Sequence, residues 1–191
     1  MTKSSDHRPE SYKINPDSIQ ILSPPIKPDN KWQLRKNVVY SLQAPSLCYL
    51  QHAQPQTRAS LGFFKPREIM SLEIQPESNP NWTEEDLAKL ERADLFQGRP
   101  AQPLEKVPYK FYYHFTCDEA GCAGHTLSCV DWEMGEAWRG WQPKYGPAWE
   151  AKFREKFEHE MIDLNDTRFF VGTVKAHPNN WIIIGLFYPR K

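Results

Sequence analysis

The sequence has no excess of either charge: its 24 basic and 24 acidic side chains cancel. That excludes a binder working through a global cationic field, while leaving room for local basic patches. With no net repulsion, association with a second copy or a partner subunit is not opposed. It also lacks any apolar run of about 18 residues, the minimum for a helix that crosses a bilayer. The first ten residues are polar and charged and form neither a signal nor a transit peptide. The chain is therefore read as cytoplasmic, without a membrane span, in a setting where thiols stay reduced. No internal repeat, low-complexity tract, P-loop, dinucleotide fingerprint or nucleophile elbow is present. Cysteine is scarce, at four residues, and three of the four fall between positions 117 and 129. In a reducing compartment that clustering points to metal before disulfide.

What is present is enough apolar and aromatic residue, 39% and 13%, for one core that needs no cross-links. Residues 1–8 are expected to be a disordered tail and 9–191 a single domain. Short strands are expected at 18–22 and 60–68, and helices from about Lys31 to Leu42 and from Pro45 through Leu50. Residues 54–57 read as a loop. Residues 69–74 alternate as a strand, with Ile69, Ser71 and Glu73 on one side and Met70, Leu72 and Ile74 on the other. Thr83 to Asp86 caps a helix to about Ala93, with carboxylates in its first turn. A proline-bearing loop covers 97–108. In 109–117, Tyr109, Phe111, Tyr113, Phe115 and Cys117 share one face and Lys110, Tyr112 and His114 the other, as in a central strand. Residues 135–146 give no clear periodicity. Pro147 opens a helix to about Asp163 whose Trp149, Phe153, Phe157 and Met161 recur every fourth residue. Residues 169–174 and 181–187 form a hairpin around His177–Asn180. The fold class is α+β, a mixed or antiparallel sheet with packed helices and a Cys/His metal-binding turn.

That turn is the main chemical signal. Cys117, Cys122, His125 and Cys129 make C-x4-C-x2-H-x3-C, with Gly121 and Gly124 allowing tight turns between ligands. Thiolate and imidazole are the donors Zn²⁺ prefers, and a structural site wants four. If 125–131 is extended, however, His125 and Cys129 stand about 13 Å apart at about 3.3 Å per residue. The fourth ligand is then Cys129, a residue from elsewhere, or water. A structural zinc is expected ahead of a catalytic one.

Two other sets carry chemistry. Asp131 and Glu133 flank Trp132 and, in a strand, share a face, as a pair that can hold Mg²⁺ or do acid–base work. A solvated strand end is the plainer reading. Lys65, Arg67 and Lys110, beside Tyr112 and His114, combine bases with aromatics in the manner of a single-stranded nucleic-acid surface.

The segments Arg8–Lys13 (RPESYK), Ser60–Pro66 (SLGFFKP), Pro103–Phe111 (PLEKVPYKF), Cys117–Glu133, Phe170–Thr173 and Ile183–Phe187 together resemble a group of uncharacterised prokaryotic proteins. The group's pattern has counterparts of Cys117, Cys122, His125, Asp131, Trp132 and Glu133, with an aliphatic residue at the position of Cys129. Its members open on an extra β-rich segment without a counterpart here. The resemblance implies no activity, only a genetic context of mobile or defence-related DNA functions. The expected function is a metal-stapled binding protein whose partner is nucleic acid or a protein of a nucleic-acid-processing complex. The alternative is a metal-dependent hydrolase or nuclease using Asp131 and Glu133, or an open position at Cys117, Cys122 and His125.

Overall fold

The computed structural model describes residues 2–3, 8–93 and 104–191. The tail expected over 1–8 and the loop expected over 97–108 lie partly outside the described residues. Thr2–Lys3 (β1) pairs antiparallel with Tyr12–Lys13 (β2). Residues 19–22 form no strand. Ile21 and Leu22 are each 90% exposed, so their alternation finds no sheet to join. A helix follows, but shorter than the sequence suggests: Gln33–Val39 (α1), flanked by single 3₁₀ turns. Asn30, Lys31 and Trp32 all have positive φ, which delays the helix from its expected start near Lys31.

Gln43–Ala44 (β3) leads to Leu47–Thr57 (α2), whose Ser46 side chain accepts from the Tyr49 N–H as an N-cap. The helix runs through the loop expected at 54–57, despite Pro55. Leu61–Phe64 (β4) and Glu68–Pro76 (β5) come next. In β5 the simple alternation fails because the register shifts between Ile69 and Ser71. That irregularity buries Ile69 and Leu72 and leaves Met70 exposed, as an extra residue in one strand must. Glu84–Ala93 (α3) has a capping box, with Thr83 Oγ1 accepting from the Asp86 N–H and Asp86 Oδ2 from the Thr83 N–H.

Tyr109–Thr116 (β6) and His125–Cys129 (β7) are the pair that carries the Cys/Gly/His turn. Trp132–Tyr145 (α4) fills the stretch without periodicity. Its start is set by Asp131, whose Oδ1 accepts from the Glu133 and Met134 N–H groups. Trp149–Arg154 (α5) continues as a π-helix over Glu155–Leu164. The reason is visible in the apolar column. At 3.6 residues per turn, every fourth residue overshoots a full turn by about 40°, so an α-helical column would spiral off the sheet. In the wider winding every fourth residue falls short of a full turn, which offsets that drift, and Trp149, Phe153, Phe157 and Met161 are all buried. Arg168–Val174 (β8) and His177–Phe187 (β9) form the hairpin.

Seven strands make one mixed sheet in the order β3-β4-β8-β9-β7-β6-β5. The β3–β4 and β7–β9 pairs are parallel and the rest antiparallel. One face carries the core: Phe111 stacks on Phe153 at 4.7 Å, and Tyr113 donates its hydroxyl to the Phe157 carbonyl. Phe63, Phe170 and Phe187 form a smaller cluster with Trp32, whose ring meets Phe187 edge-on at 5.2 Å. Strand β5 is an edge. The end of α5 and the π-helix shield it, with Arg154 donating to the Leu72 carbonyl and Glu158 accepting from the Leu72 N–H. Among the described residues, no helix is long and apolar enough to cross a membrane.

Candidate metal centre

Three of the four sequence-predicted ligands meet. Cys117 ends the run of β6, Cys122 lies in the turn, and His125 begins β7, so the β6–β7 connection folds back on itself. Gly121 (φ +85°) and Gly124 (φ +92°) adopt the left-handed backbone that this reversal requires. The fourth member is Cys48, on the first turn of α2. The Sγ atoms of Cys48, Cys117 and Cys122 and a ring nitrogen of His125 all lie within 4.8 Å of one another. Cys48 Sγ is 3.1 Å and Cys122 Sγ 3.5 Å from His125 Nε2.

Cys129 is a correction: it is not part of this group. It sits at the far end of β7, 4% exposed, paired with Phe111 on one side and Ile183 on the other. The reason is the strand itself, which carries residue 129 away from residue 125 at about 3.3 Å per residue. No local spacing rule could have supplied Cys48 in its place, because it lies 77 positions before His125. A cysteine just inside a Ser-capped helix was legible, but not its partners.

The surroundings act unequally on the three thiols. The Cys117 N–H donates to Cys122 Sγ at 3.3 Å. Cys117 sulfur lies against the Cys48 and Leu47 N–H groups, at the electropositive first turn of α2. Burial raises the Cys117 thiol, with those N–H groups opposing it. Cys122 is lowered by the Cys117 and Gly124 N–H groups. Cys48 is pushed up to about 12 by burial, with the neighbouring Cys122 and Cys117 sulfurs adding to the effect. Burial lowers His125, with Glu119 acting against it. Three sulfurs this close repel one another when ionised, and a bound cation removes that repulsion. Ligand atoms of tetrahedral zinc lie about 4 Å apart, between the 3.1 Å contact and the 4.8 Å that bounds the set here. Ser46 links the two ligand-bearing segments, donating its hydroxyl to Glu119 while capping α2.

The carboxylate pair is placed differently from the shared strand face expected. Asp131 is the N-cap of α4 and Glu133 lies in its first turn. Both Asp131 oxygens are engaged, Oδ1 by the helix N–H groups and Oδ2 by the Leu186 N–H at 2.8 Å. Burial raises the Asp131 carboxyl, with the Leu186 and Glu133 N–H groups opposing it. Glu133 accepts from the Tyr188 hydroxyl. These groups stand at the opposite end of β7 from His125.

The basic and aromatic set divides in two. Lys110, Tyr112 and His114 share one face of β6, where acids of the β5 side meet them. Lys110 pairs with Glu77 at 3.2 Å and His114 Nε2 with Glu73 at 2.8 Å. His114 Nδ1 also meets Thr126 Oγ1 at 2.9 Å. Lys65 and Arg67 lie in the β4–β5 turn beside the Thr116 end of β6, and Lys65 pairs with Asp166 at 2.8 Å.

The family model of a domain of unknown function (DUF8757) matches residues 43–191, and the chain belongs to this family. The matched segment runs from β3 to the end of β9 and holds all four clustered side chains. No curated protein and no solved structure matches.

Proposed function

We propose that this member of the DUF8757 family is a zinc-stapled binding module. Zn²⁺ is held by Cys48, Cys117, Cys122 and His125 and fastens the start of α2 to the β6–β7 turn. The observation that carries this reading is the convergence of three thiols and one imidazole from two distant segments. Soft sulfur and imidazole donors in a four-membered set match zinc better than Mg²⁺ or Ca²⁺. Four protein donors leave no position for a substrate or attacking water, which favours a structural ion over the hydrolase reading. Among the described residues, no third acid or histidine groups with the carboxylates Asp131 and Glu133 as a metal-dependent nuclease would need.

The partner in this reading is a nucleic acid, or a protein of a nucleic-acid-processing complex, met in the reducing cytoplasm. Support for it is the exposed Arg67 with Lys65 near it, and the Lys110, Tyr112 and His114 face of β6. The ion pairs of Lys65 and Lys110 and the His114–Glu73 hydrogen bond make that support local rather than a broad cationic field.

Elemental analysis of protein purified without added metal is expected to give one zinc per chain. Chelation is then expected to lower the unfolding temperature, and zinc alone to restore it. A metal-free protein whose unfolding is indifferent to zinc overturns the proposal.

A further inference from the structure

A cleft on the far side of the β4–β5 turn combines features that neither the zinc reading nor the core requires. It encloses about 270 Å³, between the turn residues Lys65 to Ile69, the end of the π-helix at Met161 and Ile162, the segment holding Asn165 and Thr167, and Lys191. Three of its lining side chains are cationic, Lys65, Arg67 and Lys191, against one acid, Glu68. The three are not equivalent. Lys65 reaches Asp166 at 2.8 Å, and the Lys191 ammonium donates to the Ile162 and Asp163 carbonyls at 3.0 Å each. Lys191 keeps its charge toward the cleft, because carbonyls do not neutralise it, whereas the charge of Lys65 is shared with Asp166. Arg67 is exposed, and its guanidinium has no hydrogen-bond or ion-pair partner among the described residues.

The second observation is buried. Asn165 is 3% exposed, yet its side-chain oxygen has no hydrogen-bond partner. Its amide nitrogen has only the weak acceptor Met161 Sδ, at 3.9 Å. A buried amide left in this state is unfavourable unless a ligand or water completes it. The amide can present either end, since its oxygen and nitrogen exchange by a turn about the last torsion. A group with both acceptor oxygens and an O–H suits it in either pose.

We infer that this cleft is a phosphate-binding site, in which Arg67 forks onto the phosphoryl oxygens, Lys65 and Lys191 supply charge, and Asn165 closes the buried side. Arginine's planar fork matches two phosphoryl oxygens at once, and hydrogen phosphate offers both the acceptors and the donor that the amide can use. The inference deepens the nucleic-acid reading above, since a strand terminus or backbone would supply the phosphate. A mononucleotide or inorganic phosphate would supply the same chemistry.

The test is NMR titration of the intact chain, following the Arg67 Nε–H and Asn165 side-chain amide signals. Inorganic phosphate, a mononucleotide, and a short single-stranded oligonucleotide with and without a 5′-phosphate are compared at constant ionic strength. Phosphate is expected to shift both signals, while chloride at equal ionic strength does not. Arg67→Gln is expected to weaken phosphate binding about tenfold. For the oligonucleotide it is expected to weaken binding similarly and to lower the dependence on log salt by about one. Phosphate shifts without oligonucleotide binding uphold the cleft and remove the nucleic-acid reading. Oligonucleotide binding that leaves both signals unmoved and is indifferent to Arg67→Gln overturns the cleft and spares that reading. No shift with any of these probes overturns the cleft as well.

Discussion

Cys48 and Cys129 differ in what their sulfur atoms touch, and that difference can be measured. Replacing Cys48 with Ser is expected to weaken zinc affinity by at least about a hundredfold, since even outer partners of a metal site are worth about 10–100-fold. Replacing Cys129 with Ser is expected to leave zinc content unchanged. It should cost about 1–3 kcal/mol of stability instead, because a hydroxyl then lies among Phe111, Ile183 and their neighbours. Elemental analysis and thermal unfolding of the two variants separate the roles. At this scale the sequence showed Cys117, Cys122 and His125 because their spacing is local and glycines mark the turn. Cys48 was out of reach because only the assembled sheet brings residue 48 beside residue 125. Asp131 was read as a strand residue because its capping bonds become visible only once α4 exists.

Elements with one clean periodicity were the readable ones. The two-residue alternation of β6 survives in the structure, and so does the four-residue column of α5 and its continuation. The α5 column holds because the helix widens to accommodate it, so the apolar pattern prevails over ideal α-helical geometry. Strand β5 was read correctly in place and wrongly in facing, because an extra residue at 69–71 leaves no mark in composition. The same strand has an edge that would pair with another chain if left open. Glu158 closes it at the Leu72 N–H, and its other oxygen takes an ion pair from Arg154 at 2.9 Å. Glu158→Ala is expected to lower stability by about 1.5–3 kcal/mol, the range for a hydrogen bond to a charged group. It should also raise light scattering on heating, since the bared edge offers a template for association. Thermal unfolding followed by scattering reads both effects, and an unchanged scattering onset would contradict the shielding role.

For the molecule as a whole, the N-terminal segment that precedes the family-matched region is fastened to the sheet at several points, through Arg8, Glu10 and Trp32 and through a network around Arg168. Arg168, 7% exposed, donates to Tyr40, Asp166 and Gln43, and its guanidinium lies 4.0 Å over the Tyr40 ring. Burial would raise the Asp166 carboxyl, but hydrogen bonds from Arg168, Lys65 and Tyr40 outweigh it and bring it down to about 2. A depressed carboxyl stabilises the fold fully above its unfolded value, 3.8, and that contribution disappears as pH falls through the folded value. Limited digestion with an acid-active protease is expected to release the segment around α1 progressively between about pH 4 and about pH 2. Asp166→Asn should flatten that dependence, whereas release at the same rate in both proteins would contradict the network's role. The fastening between Cys48 and the β6–β7 turn has a different consequence, in time rather than in energy. The strands β4, β5 and β6 all lie between its two halves along the chain. A nascent polypeptide therefore has no complete coordination sphere to offer until those strands have found their neighbours. In the zinc reading the three local donors of the turn come together first, and the Cys48 sulfur closes the site only once the sheet is finished.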